Sequence, residues 1–340
     1  MSPVGVCIIG AGRAGMVHAI NFRDNVPGAS LVAIVRTTKE KAERTAADLG
    51  IGLFYTDFHQ ALENPEIDAV CITSPTFTHA EIAIEAAKAG KHIFCEKPMA
   101  LNLEEVDAMI EAAERAGVKL QLGFMRRFDA AFLSAKEKIQ EGLIGKPMIV
   151  KSTGRGPGLP PRWACDLEKS NGMLAEVNSH DFDSIRWLMG SEYARIYAEA
   201  ATLKCHELKE EFPDFYDNAV VVMRFQNDGL GVLDGSCPVD YGYDARMEVL
   251  GTEGVIMIGE LQYEAVTVCT REDGIVQSTF PSWRNRFREA YIAEACHFIE
   301  CITKGLTPLA TGYDGKKAIE AVLAANRSIK CGTPINLPLD

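Results

Sequence analysis

Three glycines near the start of the chain have the spacing of a turn that holds phosphate groups. The hexapeptide Gly10-Ala11-Gly12-Arg13-Ala14-Gly15 follows the apolar run Val4–Ile9 and precedes a helical pattern. In this pattern the first glycine allows a tight turn, the second lets a pyrophosphate approach the backbone, and the third permits close helix packing. Arg13 is expected to assist at the helix N-terminus. A glycine-rich turn without a ligand is the alternative, but the strand-turn-helix context predicts dinucleotide binding.

A second set of candidate cofactor residues is Arg36-Thr37-Thr38, at the end of the next predicted strand. Chains that bind NAD usually place Asp or Glu there, about 20 residues beyond the glycines, to hold the ribose hydroxyls. A guanidinium and two hydroxyls instead suit a 2′-phosphate. An arginine that faces solvent or stacks on adenine is the alternative. We therefore predict NADP(H) as the cofactor, with NAD(H) as the second choice.

The elements that must position these residues are short apolar runs alternating with helical patterns, which is typical of a parallel sheet with crossover helices. The predicted strands are Val4–Ile9, Leu31–Val35, Ala69–Thr73, His92–Cys95 and Lys119–Leu122, with a possible sixth at Leu53–Tyr55. The predicted helices are Lys39–Leu49, Ala80–Ala89 and Leu103–Ala116. Because the runs are nearly continuous, both faces of the sheet should be covered. The pattern predicts a Rossmann dinucleotide-binding domain over residues 1–124.

The pattern changes after Gly123 and predicts a second, α+β domain over residues 125–340 with a large, mainly antiparallel open sheet. Its expected elements are a helix at Asp129–Gln140, a loop at Gly154–Pro161, a helix at Ser179–Met189, a hairpin of Val220–Phe225 with Leu230–Leu233, and closing helices at Arg286–Ile302 and Lys316–Ile329. The turn Gln226-Asn227-Asp228-Gly229 is the hairpin signal. The closing helix near 312–330 is a candidate to return to the first domain.

Composition excludes several classes of function. A chain of 340 residues is long enough for two domains, and its formal charge of −12 disfavours binding to nucleic acid. No segment approaches the roughly 20 apolar residues that span a bilayer, and no export signal is visible at the start. The ten cysteines lack the paired spacings of a metal or redox site. We expect a cytoplasmic protein without membrane association.

Four segments together resemble one known family. They are Thr73-Ser74-Pro75-Thr76-Phe77-Thr78-His79, Cys95-Glu96-Lys97-Pro98, the stretch from Gly172 to Asp183, and Tyr241-Gly242-Tyr243-Asp244-Ala245-Arg246. With the glycine turn, they resemble the glucose-fructose oxidoreductase, inositol dehydrogenase and rhizopine-catabolism (Gfo/Idh/MocA) family over nearly the whole chain. The last two segments are most similar to the inositol 2-dehydrogenase branch.

The resemblance implies a nicotinamide held between the Rossmann domain and the sheet of the second domain, and a homo-oligomer, dimer or tetramer. It also implies a Lys97–Pro98 bond that is often cis in relatives. The cofactor contacts that it adds to the glycine turn and Arg36 are Thr73, Ser74, Pro75, His79, Glu96 and Lys97. Of these, His79 also has a structural interpretation, since it stands at the head of a helix.

The resemblance assigns catalytic roles to Lys97 and His180. Removal of a hydride from a secondary alcohol requires a base for the hydroxyl proton, and His180 has a suitable ordinary pKa. Lys97 would donate a hydrogen bond to the substrate oxygen. Glu176 stands where relatives usually have Asp, and helical geometry there would put it on one face with His180. Without the resemblance, the alternative for Lys97 is a solvated charge at the end of a strand, and the alternative for His180 is a helix cap.

The predicted substrate-binding residues are Arg127, Arg155, Trp163, Asp183, Tyr241 and Tyr243. Asp183 could hold a substrate hydroxyl or favour the helix start, and the tyrosines could line a sugar pocket or a core. Inositol-type relatives more often have Asp where this chain has Gly156, which speaks against myo-inositol itself. Glu176, His180 and Asp183 have side chains of types that bind metals. Three ligands on one helix face rarely complete a coordination sphere, so no metal is expected.

Three functions fit these residues. The first is a dehydrogenase or reductase of a cyclic polyol or sugar, which moves a hydride between NADP(H) and a secondary alcohol or ketone. The second is a related reductase acting on a dihydrodiol or an imine. The third is a regulator that senses NADP(H) and has no catalysis, although the intact Lys97 and His180 favour an enzyme.

Overall fold

The computed structural model describes residues 2–339, which divide into two compact units. The first unit takes the residues up to Phe128 together with Glu289–Ile319, and the second takes Asp129–Arg288 with the residues from Glu320 onward. The first unit's leading segment runs four residues past the predicted boundary at residue 124. Its later segment includes residues 312–319, the start of the closing helix that was a candidate to return to the first domain. No helix in the described range is long and apolar enough to cross a membrane.

The first unit is built on a six-stranded parallel sheet. Its strands are β1 (Val4–Ile9), β2 (Ala29–Val35), β3 (Leu53–Tyr55), β4 (Ala69–Ile72), β5 (His92–Cys95) and β6 (Leu120–Leu122), in the spatial order β3-β2-β1-β4-β5-β6. The helices between them are α1 (Arg13–Asp24), α2 (Lys39–Leu49), α3 (Phe58–Leu62), α4 (His79–Lys88) and α5 (Leu103–Ala116). Strand order reverses between β1 and β4, and ligands of such sheets bind at that switch point.

The second unit is built on a seven-stranded sheet of order β12-β11-β7-β10-β9-β8-β15. Its strands are β7 (Pro147–Arg155), β8 (Tyr193–Ala201), β9 (Asn218–Phe225), β10 (Leu230–Ser236), β11 (Asp244–Gly251), β12 (Val255–Ile258) and β15 (Ile335–Asn336), while β13 (Gln262–Thr270) and β14 (Gly274–Thr279) form a separate hairpin. All neighbours in the large sheet run antiparallel except β7 and β10. The helices are α6 (Ala130–Gln140), α7 (Leu167–Ser170), α8 (Gly172–Glu176), α9 (Ser179–Met189) and α10 (Trp283–Arg286).

Two closing helices, α11 (Arg288–Lys304) and α12 (Gly312–Cys331), complete the chain before β15. Three apolar residues of α11, Ala295, Phe298 and Ile299, lie in the same core cluster as Ile8 of β1 and Phe22 of α1. The predicted fold class, a Rossmann domain followed by an α+β domain with a mainly antiparallel sheet, is confirmed.

Candidate active site

Each glycine of the N-terminal turn is required for a different reason. Gly10 has φ of +99°, and a side chain there would meet the backbone nitrogen of Ser74 at 2.5 Å. A side chain at Gly15 would meet the carbonyl oxygen of Gly10 at 2.4 Å. At Gly12 the nearest atom would be 3.8 Å away, and this residue is exposed. Gly10 and Gly15 therefore serve the packing of the turn, while Gly12 leaves open the space that a pyrophosphate needs.

Helix α1 begins directly at this open space. Its N-cap is Gly12, which has no side chain to cap the first turn. The first N–H groups of a helix lack partners within the helix and favour an anion. Arg13, next to the cap, is exposed. The residues present therefore fit the pyrophosphate of a dinucleotide.

The end of β2 carries the residues expected to select between the two nicotinamide cofactors. The guanidinium of Arg36 is half-buried and donates from Nη1 to the hydroxyl of Thr45 at 2.9 Å. Thr37 and Thr38 are exposed, and Thr38 is the N-cap of α2 without a side-chain capping bond. The remaining donors of Arg36 and the start of α2 thus face the same strand end. None of the three residues Arg36, Thr37 and Thr38 has a carboxylate that could hold the ribose hydroxyls.

The loop after β4 closes against the glycine turn. The hydroxyl of Thr73 donates to the carbonyl oxygen of Gly10 at 2.9 Å. One residue later, the hydroxyl of Ser74 lies 2.6 Å from that of Thr78. Thr73, Ser74 and Pro75 therefore border the switch point, where ligands of such sheets bind. Their contact with a cofactor stays a prediction.

His79 is buried and joins two loops of the first unit. Its Nδ1 lies 2.9 Å from the carbonyl oxygen of Pro98, and its Nε2 lies 2.8 Å from that of Ser74. Burial lowers the pKa of this imidazole, against the smaller raising effect of the two carbonyls. Since both ring nitrogens face backbone oxygens, the geometry supports the structural interpretation of His79 and gives it no free nitrogen for a cofactor.

Lys97 follows β5 in the turn that carries the predicted signature. The Lys97–Pro98 peptide bond is cis, and Lys97 itself is half-buried. Glu96 is buried, with Oε1 2.7 Å from His18 Nε2 and Oε2 accepting the backbone N–H of Lys97 at 3.1 Å. The side chain of Glu96 is thus engaged inside the first unit, so a cofactor would meet its backbone rather than its carboxylate.

In the second unit, His180 and Asp183 lie within the first five residues of α9, and both are buried. Their spacing of three residues puts them on one face of the helix. The predicted bounds of this helix, Ser179–Met189 with Gly190 in the left-handed region after it, agree with the structure. The residues that the sequence predicts as proton acceptor and hydroxyl ligand therefore share one face of α9, and both roles stay predictions.

The start of α9 is fixed to the sheet by polar contacts that the sequence reasoning missed. The amide of Asn178 donates to Asp181 Oδ2 and to the carbonyl oxygen of Gly154, both at 2.9 Å. Ser152 donates to Asp181 Oδ1 at 2.5 Å. Asn178 and Asp181 flank the His180 segment in sequence, and this pair of short polar residues at a helix start was the available signal.

The expected helical relation between Glu176 and His180 is wrong. Glu176 ends the short helix α8, whereas His180 belongs to α9, and Val177 and Asn178 separate the two helices. The four-residue spacing of one continuous helix therefore does not apply to this pair. Glu176 is half-buried in the same unit, and its catalytic role stays a prediction.

Arg155 and Tyr241 contact each other on the face of the large sheet opposite α9. Gly154 faces Asn178, so the next residue of the strand, Arg155, points to the other face. There Arg155 pairs with Asp234 and donates to the hydroxyl of Tyr241 at 3.2 Å. The structure does not bring these two residues together with His180. Arg155 also ends strand β7 and does not lie in the predicted loop.

Two further predicted substrate residues lie elsewhere in the second unit, and one in the first. Trp163 is half-buried in a 3₁₀ turn, and Tyr243 is buried with its ring 6.1 Å from that of Phe287. Arg127 is buried in the first unit, 2.9 Å from Asp314 and donating to the carbonyl oxygen of Leu309 at 2.8 Å. The guanidinium of Arg127 thus takes part in an internal ion pair, and its role in substrate binding stays a prediction.

Comparisons with known proteins agree with this geometry. Residues 4–124 match the model of an oxidoreductase family with an NAD-binding Rossmann fold, and residues 132–257 match the GFO/IDH/MocA C-terminal domain. The chain belongs to the GFO/IDH/MocA oxidoreductase family.

Individual relatives match this family member over almost its full length. It is 40% identical to a scyllo-inositol 2-dehydrogenase (NAD(+)) of Bacillus subtilis, over 97% of this chain and 95% of the relative. It is 39% identical to a myo-inositol 2-dehydrogenase of Thermotoga maritima, over 95% of each chain. Among solved structures, scyllo-inositol dehydrogenase of Lactobacillus casei with bound NAD(H) and scyllo-inositol superposes with a TM-score of 0.92 at 27% identity, covering 98% of this chain and 99% of that one.

Proposed function

We propose that this oxidoreductase is an inositol-type dehydrogenase, which oxidises one secondary hydroxyl of a cyclic polyol to a ketone and reduces the ketone in reverse. The observation that carries the proposal is the placement of His180 and Asp183, both buried, on one face of α9 near its start. Ring polyols present neighbouring hydroxyls, of which one loses its proton and another can be held by a carboxylate. The names of the two relatives at about 40% identity support the same substrate class.

The proposed chemistry divides between the cofactor and the chain. The nicotinamide, when bound, accepts or returns the hydride. His180 takes the hydroxyl proton as the hydride leaves, and Lys97 donates a hydrogen bond to the same oxygen. Asp183 accepts a hydrogen bond from the adjacent hydroxyl and so fixes which carbon reacts. In reduction, the same groups supply the proton to the ketone oxygen.

We propose that NADP(H) is the preferred cofactor. Arg36, with the exposed hydroxyls of Thr37 and Thr38, offers donors to a 2′-phosphate, and none of these three residues carries a carboxylate that would repel it. The Bacillus subtilis relative is named as an NAD(+)-dependent enzyme, and the Lactobacillus casei structure holds NAD(H). NAD(H) is therefore the second candidate, and both cofactors belong in every assay.

The proposal is tested by the absorbance of reduced nicotinamide when purified protein is mixed with either oxidised cofactor and a panel of inositol isomers and pyranoses. We expect turnover with at least one inositol. His180→Asn and Lys97→Met should each lower kcat by about 10²–10⁴-fold while cofactor binding persists. His206→Asn and Lys88→Met, at exposed positions, are the matched controls.

Each of the other functions has its own signature in this assay. Turnover of aromatic dihydrodiols with none of the polyols would replace the proposed substrate class. Tight, redox-selective binding of NADPH without turnover of any compound would favour the sensing function. Loss of activity in the exposed-site controls would contradict the roles of His180 and Lys97.

A further inference from the structure

Beneath the Lys97 turn, three titratable side chains from separate elements meet in the interior of the first unit. His18 of α1, Glu96 after β5 and Glu294 of α11 place one ligand-type atom each within 4.8 Å of one another. Their exposed fractions are 0%, 6% and 0%. Buried charges are costly without partners, so a cluster of this kind needs a physical explanation. Neither His18 nor Glu294 has a role in the chemistry described above.

The carboxylate of Glu96 is held on three sides. Oε1 lies 2.7 Å from Nε2 of His18, which must carry the proton because a carboxylate only accepts. Oε2 accepts the backbone N–H of Lys97 at 3.1 Å. A Cβ atom at Gly123 would come within 3.0 Å of the Glu96 carboxyl carbon, so this glycine leaves just enough room. Glu96 therefore has one position, and that position fixes the peptide of Lys97.

The two carboxyl groups of the cluster carry one negative charge between them. Both side-chain oxygens of Glu294 are buried, and no group within residues 2–339 donates a hydrogen bond to them. Burial, together with the neighbouring charge of Glu96, raises the pKa of Glu294 well above its usual value. Burial also acts to raise the pKa of Glu96, but the hydrogen bond from His18 and the charge of Lys97 outweigh it and lower that pKa. Glu96 is thus the ionised partner and Glu294 the neutral one.

We propose that Glu96 is a positioning residue for Lys97: its carboxylate, seated by His18, anchors the Lys97 peptide and so directs the ammonium toward the substrate oxygen. Glu294 supports this arrangement as a neutral acid. The inference rests on the proposed function, since it assumes that Lys97 contacts substrate. The same three ligand types could instead bind a metal ion, which would displace the proton between His18 and Glu96.

The test compares three variants. His18→Phe keeps the ring packing against Phe94 and Tyr291, whose centroids lie 4.9 and 5.6 Å away, but removes the donor. Glu96 then lies buried without its main partner, so its pKa should rise and kcat should fall at least tenfold on the acid side and recover as pH increases. His18→Gln restores an N–H donor and should rescue most of the loss, and it also serves if the Phe variant does not fold. Glu294→Gln mimics the neutral acid and should leave the kcat profile within about twofold of the parent.

Five other titratable groups near the cluster could contribute to the pH dependence of kcat. They are Cys7 of β1, Cys71 of β4, Cys95 of β5, His79 of α4 and Lys97 itself. Burial raises the pKa of all three thiols, and it lowers that of His79. The thiols therefore stay neutral over the assayed range, and the cysteines are unchanged in every variant.

A second measurement reports on the same proposal without turnover. Hydrogen exchange at the Lys97 amide should accelerate at least tenfold in His18→Phe and remain near the parent rate in Glu294→Gln, because only the first weakens the Glu96 acceptor. The proposal is overturned if exchange at Lys97 is unchanged, if kcat falls without any shift of its pH profile, or if the purified protein holds stoichiometric metal that Glu294→Gln removes. Absence of turnover in the parent protein, with the exchange pattern intact, would instead contradict the proposed function alone.

Discussion

At the scale of single residues, Arg36 gives the most direct test of cofactor choice. Arg36→Asp removes a donor to the 2′-phosphate and introduces a charge that repels it, while a carboxylate can accept hydrogen bonds from ribose hydroxyls. We expect the Kd for NADPH to rise by about 10–100-fold, since one or two charge-assisted hydrogen bonds are lost. The Kd for NADH should stay within a few-fold of the parent. Fluorescence titration with both reduced cofactors measures this directly.

The control for this substitution is Arg44→Asp, which makes the same change of charge on the exposed surface of α2. If Arg44→Asp raises the Kd for NADPH as much as Arg36→Asp does, then the general change of charge, and not a specific site, explains the effect. A parent protein that binds NADH more tightly than NADPH would refute the proposed preference.

Residue type alone could predict some of the candidate site but not all of it. The glycine turn was predictable because the spacing of Gly10, Gly12 and Gly15 is set by the backbone geometry of the turn itself. The ion pair of Arg127 was not predictable, because its partner Asp314 is 187 residues away in sequence. An arginine near a motif has the same local pattern whether it faces a ligand or a buried carboxylate. Only the tertiary partner distinguishes the two.

At the scale of elements, the approach of α9 to the large sheet depends on two residues without side chains. A Cβ atom at Gly154 would meet Asp181 Oδ2 at 2.2 Å, and one at Gly235 would meet Asn178 Oδ1 at 2.6 Å. Gly235→Ala should therefore displace the start of α9, lower the free energy of unfolding by about 1–3 kcal/mol and reduce kcat. Urea unfolding and steady-state kinetics measure the two effects.

Gly158→Ala is the matched control, because a Cβ atom there has nothing within 4 Å. It should change the free energy of unfolding by less than about 1 kcal/mol. Equal stability of the two alanine variants would show that α9 tolerates a wider separation from the sheet, and the role assigned to Gly235 would fail.

The elements themselves were largely predictable, since their signals are local. β1, β3, β5, α2, α5 and α9 have the predicted bounds, because continuous apolar runs, helical spacing and following glycines mark them. The break between α8 and α9 was not predictable. Asn178 turns there toward Gly154 and Asp181, and this choice depends on a strand 24 residues earlier. Helix propensity in that segment cannot encode it.

At the scale of the whole molecule, the sequence could predict two cores but not the full membership of each. The periodicity of α11 showed an apolar face, yet the residues that this face contacts, such as Phe22 and Ile34, lie at the other end of the chain. An amphipathic pattern specifies that a helix must be covered and leaves its partner open. The sequence made only the closing helix near 312–330 a candidate for return to the first domain. The membership of residues 289–311 in the first unit therefore emerged only from tertiary contacts.

The sheet of the second unit leaves an apolar surface that we expect a second copy of the chain to cover. On the face opposite α9, Val220 and Val222 of β9 are 52% and 46% exposed. The β13–β14 hairpin exposes further apolar side chains: Val266, Val268, Ile275 and Val276. A two-stranded hairpin is only marginally stable by itself, and apolar surface of this kind is typical of subunit interfaces.

We therefore expect a homo-oligomer in which this sheet face is an interface, as the sequence predicted from the resemblance. Val222→Lys should place a charge in the contact and lower the mass measured by light scattering during gel filtration toward that of one chain. Leu143→Lys, at a position that is 61% exposed and outside the sheet, should leave the mass unchanged. Because the first unit carries the cofactor residues, NADH binding should survive in both variants. A parent protein that elutes as a monomer at all concentrations would instead mean that Val220, Val222 and the hairpin are exposed in solution.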